Sequence, residues 1–259
     1  MPSLSLNIGL NNGRKLPFGG FDADASAYFT TAGVTDATAK KQISDFVVGI
    51  KAIGLWSDMV CWPLRSTQNA GSGTTAYSLG GFGTYNGTLV NSPTWGTSGI
   101  TFTSGSSQSI TIPDITISKT DLILATCQAA TSGNLRVVDF SVLPSFAGAG
   151  IWAGFGGNYY WDCRSAINSF NRITGGSVPT SRIFTHGIAS ASGSEFFVNG
   201  TSLLSGVVPS ANGNMSSFKI NQNSGNGNIS FAMFSQSITG NASLYNLYKT
   251  TLGTGLGLP

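Results

Sequence analysis

The chain has 259 residues, of which 41% are hydrophobic and only 9% charged, so it can bury a sizeable core and is not a charge-driven disordered chain. Its formal charge of +3 is spread thinly over 13 basic residues, and without a basic cluster no nucleic-acid partner is expected. No apolar run approaches the roughly 18 residues of a membrane-spanning helix, so no membrane partner is expected either.

In chain order, residues 1–33 are rich in Gly and Asn and carry one alternating apolar run, Leu4, Leu6, Ile8 and Leu10. The expectation is an extended N-terminal arm that cannot bury itself alone and docks on a neighbouring subunit through those four residues. The period then changes. In TDATAKKQISDFVVGIKAIG, Ile43, Phe46, Val47 and Ile50 fall at i, i+3, i+4 and i+7, which predicts a helix capped by Thr35 or Asp36 and stopped at Gly54. Trp56, Met59, Trp62 and Leu64 follow as packing anchors, and Pro63 prevents a continued helix. Residues 34–70 are read as a short helical module and residues 71–259 as a β-sandwich with a C-terminal helix.

Within that last span, short apolar runs alternate with turn residues. GITFTSGSSQSITIPD alternates at Ile100 and Phe102, then at Ile110 and Ile112, with Gly105 at the turn. GAGIWAGFGG has the look of a strand with bulges. HGIASASGSEFFVNG reads as a hairpin with its return strand ending at Asn199-Gly200, which would set His186 and Glu195 across from each other. Leu244, Leu247 and Tyr248 share a helical face near the end, with Asn241 or Ser243 as cap. Roughly ten strands at this spacing, with no fixed-period repeat, point to a mainly β sandwich or jelly roll.

The sequence offers little chemistry. It has nine aspartates, one glutamate and one histidine, and no pair of acidic residues at the spacing of a glycosidase. Asp22 and Asp24 read as a turn or cap. No G-x-S-x-G elbow is present. Cys61, Cys127 and Cys163 are odd in number, without metal-ligand spacing, and read as reduced thiols. The opening MPSLSLNIGLNNGRKLPFGG lacks a secretory pattern, so folding in a reducing cytoplasm is expected. Calcium could use Asp114, Asp121, Asp139 or Asp162 in the weak sense that such sites need little signature, and no metal, cofactor or catalytic residue is assigned. Trp152, Tyr159, Tyr160 and Trp161 form the best aromatic cluster for stacking on a sugar. Along NYYWD, Tyr159 and Trp161 point one way and Tyr160 the other, and Trp152, Tyr159 and Trp161 are taken as the stacking candidates.

Two resemblances add to this. SSQSITIP, THGIASASGSEFFVNGT and NISFAMFSQSITGNASLYNLY resemble, in order, the first strand, a central hairpin, and the closing strand with its helix in concanavalin A-like (laminin G-type) jelly rolls. Phe197, Val198, Asn199 and Gly200 carry the hairpin match, and Ile238 through Tyr245 the closing one. Further upstream, YFTTAGVTDATAKKQISDFVVGIKAIGLWSDMVCWPL is similar to a segment that precedes laminin G-like domains in bacteriophage and prophage virion proteins. Tyr28, Phe29, Gly33, Thr35, Asp36, Ile43, Phe46, Val47, Gly54, Leu55 and Trp56 carry it, and Cys61-Trp62-Pro63-Leu64-Arg65 departs from it. The resemblance implies a structural virion component assembled in the host bacterial cytoplasm, chiefly a capsid decoration or cement protein, with a tail or fibre component as the alternative. Its partners would be the major capsid protein or tail proteins, and further copies of itself as a homo-oligomer. A carbohydrate-binding adhesin module, with glycan as partner, is the other alternative. Enzymatic members of the wider lectin and glucanase group need acidic residues absent here.

Overall fold

Asp22 and Asp36 each start a helix in the computed structural model of the chain, which describes residues 20–132, 135–142, 147–155, 157–162, 172–179, 181–206, 215–221 and 225–259. Asp22 accepts the Asp24 amide at 2.9 Å and opens α1 (Ala23–Ala32). Asp36 accepts the Ala39 amide at 2.7 Å and opens α2 (Ala37–Ala52). Each carboxylate satisfies an amide that has no partner inside its helix. α2 is the helix its spacing predicts, with Ile43, Phe46, Val47 and Ile50 buried, and Gly54 turns left-handed just past its end at φ 75°.

α1 corrects the expectation of an extended arm through residue 33. Ala25, Tyr28, Phe29 and Ala32 are its buried positions, a helical spacing masked by the Gly- and Asn-rich sequence before it. Lys51 of α2 clasps the start of α1, with Nζ 2.7 Å from Asp22 Oδ1 and 2.6 Å from Asp24 Oδ2. Burial works against the charge on Asp22, but the Lys51 hydrogen bond and the cap amides outweigh it and hold the carboxyl below its usual range. The arm residues Leu4, Leu6, Ile8 and Leu10 lie outside the described residues.

The strands, in order, are β1 (Met59–Pro63), β2 (Thr75–Ala76), β3 (Gly87–Val90), β4 (Ile100–Phe102), β5 (Ser109–Thr111), β6 (Leu122–Ser132), β7 (Leu135–Val142), β8 (Ala147–Phe155), β9 (Asn158–Asp162), β10 (Arg172–Ser177), β11 (Ile183–Ser190), β12 (Gly193–Val198), β13 (Thr201–Gly206), β14 (Met215–Ile220) and β15 (Asn226–Ser235), followed by α3 (Asn241–Thr250). They form two antiparallel sheets. The first runs β1-β15-β6-β11-β12-β13, with β4 also on β15, and the second runs β10-β9-β8-β7-β14-β5-β3-β2. Face to face they make a concanavalin A-like jelly-roll sandwich flanked by helices. Its inner core includes Trp62, Phe102, Leu124, Ile151, Trp161, Phe196, Phe218 and Phe234.

A second core lies on the other side of the first sheet. Phe46, Ile50, Leu244 and Tyr248 from the helices pack on Cys61, Ile123, Cys127, Phe184, Phe231 and Met233. The central strands of the first sheet are thus buried on both faces, and all eight residues of β11 are buried, while the edge strand β13 is mostly exposed. Strands dry on both faces read as continuous apolar runs, which is why MVCWP, LILATC and FAMF show no alternation. β1 lies inside the segment expected to be a helical module. It pairs with β15 from Met59↔Ser235 to Pro63↔Phe231, so the expected boundary between residues 70 and 71 leaves one strand of the sandwich on the helical side.

Local geometry explains several joins. Ile100 and Phe102 sit in the first sheet and Ile110 in the second, so the turn at Gly105, φ 77°, crosses between sheets and closes no hairpin. Asn199 and Gly200 have φ 48° and 77°, the left-handed pair a tight β12–β13 turn requires. α3 starts at Gly240 without a side-chain cap, where Asn241 or Ser243 was the expectation. A Cβ on Gly187 would stand 2.3–2.5 Å from the Trp161 indole, so glycine at this point in β11 is what lets that ring lie flat across the sheet.

Candidate functional site

No helix among the described residues packs on the outer face of the second sheet. Which side chains reach that face follows from alternation. Along β8, Ala149, Ile151 and Ala153 are buried, which places the intervening Trp152 outward, where it is half-buried. Along β9, Tyr159 and Trp161 are buried, while Asn158, Tyr160 and Asp162 are half-buried and face out. On β10, buried Ile173 separates Arg172 from Thr174.

The pairing register then assembles a cluster. Trp152 stands opposite Tyr160, and Gly150 opposite Asp162. Asp162 in turn stands opposite Arg172. Trp152 Nε1 donates to Asp162 Oδ2 at 3.0 Å. Arg172 donates through Nε to Asp162 Oδ1 and through Nη2 to Oδ2, the latter at 2.8 Å. Its guanidinium lies 5.6 Å from the Trp152 ring centre and 5.1 Å from that of Tyr160, within cation–π range of both. The Asp162 hydrogen bonds outweigh partial burial and push the Arg172 pKa up. A bidentate pair beside two aromatic rings fixes all four side chains in place.

Beside Trp152, the next outward position on β8 is Gly150, which carries no side chain and is itself buried. The exposed part of the cluster therefore offers an indole, a phenol, a carboxylate and a guanidinium. A ligand with apolar C–H faces and hydroxyl edges matches such a surface: the faces lie on the rings, and the hydroxyls meet donors and acceptors.

Two of the three sugar-stacking candidates are corrected by this geometry. Tyr159 is 2% and Trp161 0% exposed, and both belong to the core between the sheets. Trp161 Nε1 donates to the Ile188 carbonyl at 3.2 Å, and Tyr159 packs on Phe196 with ring centres 5.7 Å apart. Trp152 stays on the open face, and Tyr160, which alternation separated from Tyr159 and Trp161, joins it. Arg172 was not singled out by sequence. Its signal is the R-I-T alternation around a buried isoleucine, legible only once the β9–β10 register is known.

The conspicuous single histidine and glutamate do not meet. His186 pairs with Phe197, and Glu195 with Ile188, so the hairpin forms two residues out of the alignment that would set them directly opposite. His186 is 1% exposed. It stacks on Phe197 at 4.4 Å with the rings 3° from parallel, and neither of its nitrogens has a hydrogen-bond partner. Desolvation pushes its pKa down to about 3, so it is a neutral packing residue. Cys61 and Cys127 are buried free thiols whose pKa values burial raises, the opposite of an activated nucleophile. Cys163 lies outside the described residues. Among the described residues no group of three or more His, Cys, Asp and Glu side chains is placed to hold a metal ion.

No protein-family model matches the sequence, and no curated protein sequence does. Solved structures do resemble the fold. Trypanosoma rangeli sialidase in complex with sialic acid superposes with a TM-score of 0.55 at 12% identity, covering 76% of this chain and 33% of that one. A mutant of the same sialidase displaying trans-sialidase activity gives 0.54 at 13% identity, over 82% of this chain and 39% of the other. The botulinum neurotoxin serotype D ligand-binding domain in complex with N-acetylneuraminic acid gives 0.53 at 10% identity, over 76% and 52%. The chain therefore spans about a third to a half of the proteins it resembles, and at these identities the likeness is one of fold.

The His186 environment has a pH signature. Its folded pKa of about 3 lies below the reference 6.5, so the unfolded chain binds more protons between those values, and stability falls as pH drops from 6.5 toward 3. His186→Phe removes this linkage. Urea unfolding across that range should show the variant's stability, relative to the parent, rising as pH falls. An offset independent of pH would contradict the burial of a neutral imidazole.

Proposed function

We propose that the chain is a non-catalytic carbohydrate-binding module of the β-sandwich type, using the outer face of the second sheet. The observation that carries this reading is the Trp152–Tyr160–Asp162–Arg172 cluster, a pre-organised aromatic and polar surface on a face that no helix covers. The fold likeness to sialidases and to a neurotoxin ligand-binding domain supports it, since the structures compared hold sialic acid or a related sugar somewhere in the longer proteins. Asp162 is tied to Arg172 and Trp152, and Glu195 lies on the other sheet with Ser202 as its hydrogen-bond donor. Among the described residues neither is placed with the second carboxylate that most glycoside hydrolases use, sialidases with their tyrosine nucleophile being an exception.

We further propose that the module is carried on a bacteriophage particle, as a capsid decoration protein or a tail or fibre component. The support is the sequence resemblance across α1, α2 and the tryptophan that follows them. Mass spectrometry of purified particles should find the chain at a fixed copy number, and its absence from particles would end this part of the reading.

For the binding function, the parent protein on a glycan array should retain a defined subset of glycans. Trp152→Ala should weaken that binding by about tenfold or more, the loss typical of a central aromatic contact. Tyr159→Phe, which removes a buried hydroxyl without a partner, should leave binding unchanged. Equal binding by parent and Trp152→Ala, with the fold intact, would exclude this face as the site.

A further inference from the structure

The first sheet carries a hollow of its own. At the tip of the β11–β12 hairpin a cavity of about 410 Å³ opens to solvent, lined by Ile188, Ser190, Ser192, Glu195, Ser205 and Ile238 among others. That volume falls in the roughly 300–1,000 Å³ range of small-molecule sites. Three neighbouring strands build one wall, because Ile188 stands opposite Glu195 and Glu195 opposite Ser205. Ile188 also belongs to the cluster beneath the helices, and Ile238, just before α3, packs against that cluster. The hollow thus lies on the helix-bearing side of the sheet.

The wall is held in place before any ligand arrives. The Ser190 hydroxyl lies 2.9 Å from that of Ser192 and donates to the Gly193 carbonyl at 3.2 Å. The Ser202 hydroxyl donates to Glu195 Oε1, which steadies the carboxylate and leaves it acceptor capacity. Among the described residues no Lys or Arg lines the hollow. Its chemistry is two apolar isoleucines, several hydroxyls that both donate and accept, and one negative charge. Such a site disfavours an anion and rewards a ligand with adjacent hydroxyl donors on an otherwise apolar ring.

We propose that this hollow is a second ligand site, for a neutral pyranose sugar. Two adjacent ring hydroxyls donate to the Glu195 carboxylate, the serines complete the hydrogen bonding, and a C–H face of the ring rests on Ile188 and Ile238. The proposal does not rest on the Trp152 face, which lies on the opposite sheet.

The test is a titration of isoleucine-methyl-labelled protein, followed by NMR, with methyl glucoside, methyl galactoside, N-acetylglucosamine and glucuronate. At least one neutral sugar should shift the Ile188 and Ile238 methyl signals saturably, while glucuronate leaves them in place. Glu195→Gln should weaken the effect by about tenfold, and Trp152→Ala should not change it. Ser205 is exposed on the edge strand β13, so Ser205→Tyr fills the hollow with little risk to the fold and should abolish the shifts if Glu195→Gln does not fold. Absence of shifts with every neutral sugar, equal binding of glucuronate, or an undiminished response in both variants would overturn the proposal. Shifts confined to Ile151 and Ile173, the neighbours of Trp152 and Arg172 in the chain, would overturn it too, while leaving the reading of the outer face intact.

Discussion

Strands dry on both faces constrain everything packed against them, and the central strands of the first sheet are in that position. The opposing sheet seals one side, and α1, α2 and α3 seal the other. Each polar group in those strands must then find a partner inside the protein or go without. Thr126, Gln128 and Thr185 solve this together, with hydroxyls 3.0 Å apart and Gln128 Nε2 donating to Thr185 at 3.3 Å. His186 solves it differently, by remaining neutral between Phe184 and Phe197. The helices are part of the same device. A Cβ on Gly49 would stand 2.2 Å from a Leu247 methyl, so glycine in α2 allows α3 to close over the sheet.

Once the helices are committed to one side, no helix among the described residues covers the broad face on the other. That asymmetry assigns roles to chemically similar residues. Tyr159 and Trp161 fill the interior because they alternate inward, and Gly187 gives Trp161 its space. Tyr160 and Trp152, one position out of phase, stay at the surface and are locked by Arg172 and Asp162. In the proposed reading, binding and stability would draw on different members of one aromatic run, so that a substitution in the outward set would weaken binding without disturbing the core.

The readable parts of this design were those set by local period. α2 is visible because four apolar residues recur at helical spacing, and the β12–β13 turn because Asn199-Gly200 accepts left-handed backbone. α1 was hidden by the small alanines on its buried face and the glycines before it. β1 was hidden because a strand buried on both faces carries no alternation. In the candidate site, Trp152 was legible as an aromatic, but its partners were not: Asp162 and Arg172 lie ten positions apart in sequence and meet only through the β9–β10 pairing. The alignment of His186 with Phe197 likewise depends on the hairpin register, which sequence spacing left two residues off.

The outer face is the centre of the functional reading, and the Trp152 indole is its most direct reporter, since its Nε1 proton points at Asp162. In a titration of the full chain with a glycan that it retains, the Trp152 indole N–H resonance should shift saturably, together with the side-chain signals of Arg172, while the buried Trp161 indole stays in place. Saturable binding that leaves the Trp152 indole unmoved would contradict the assignment of that face.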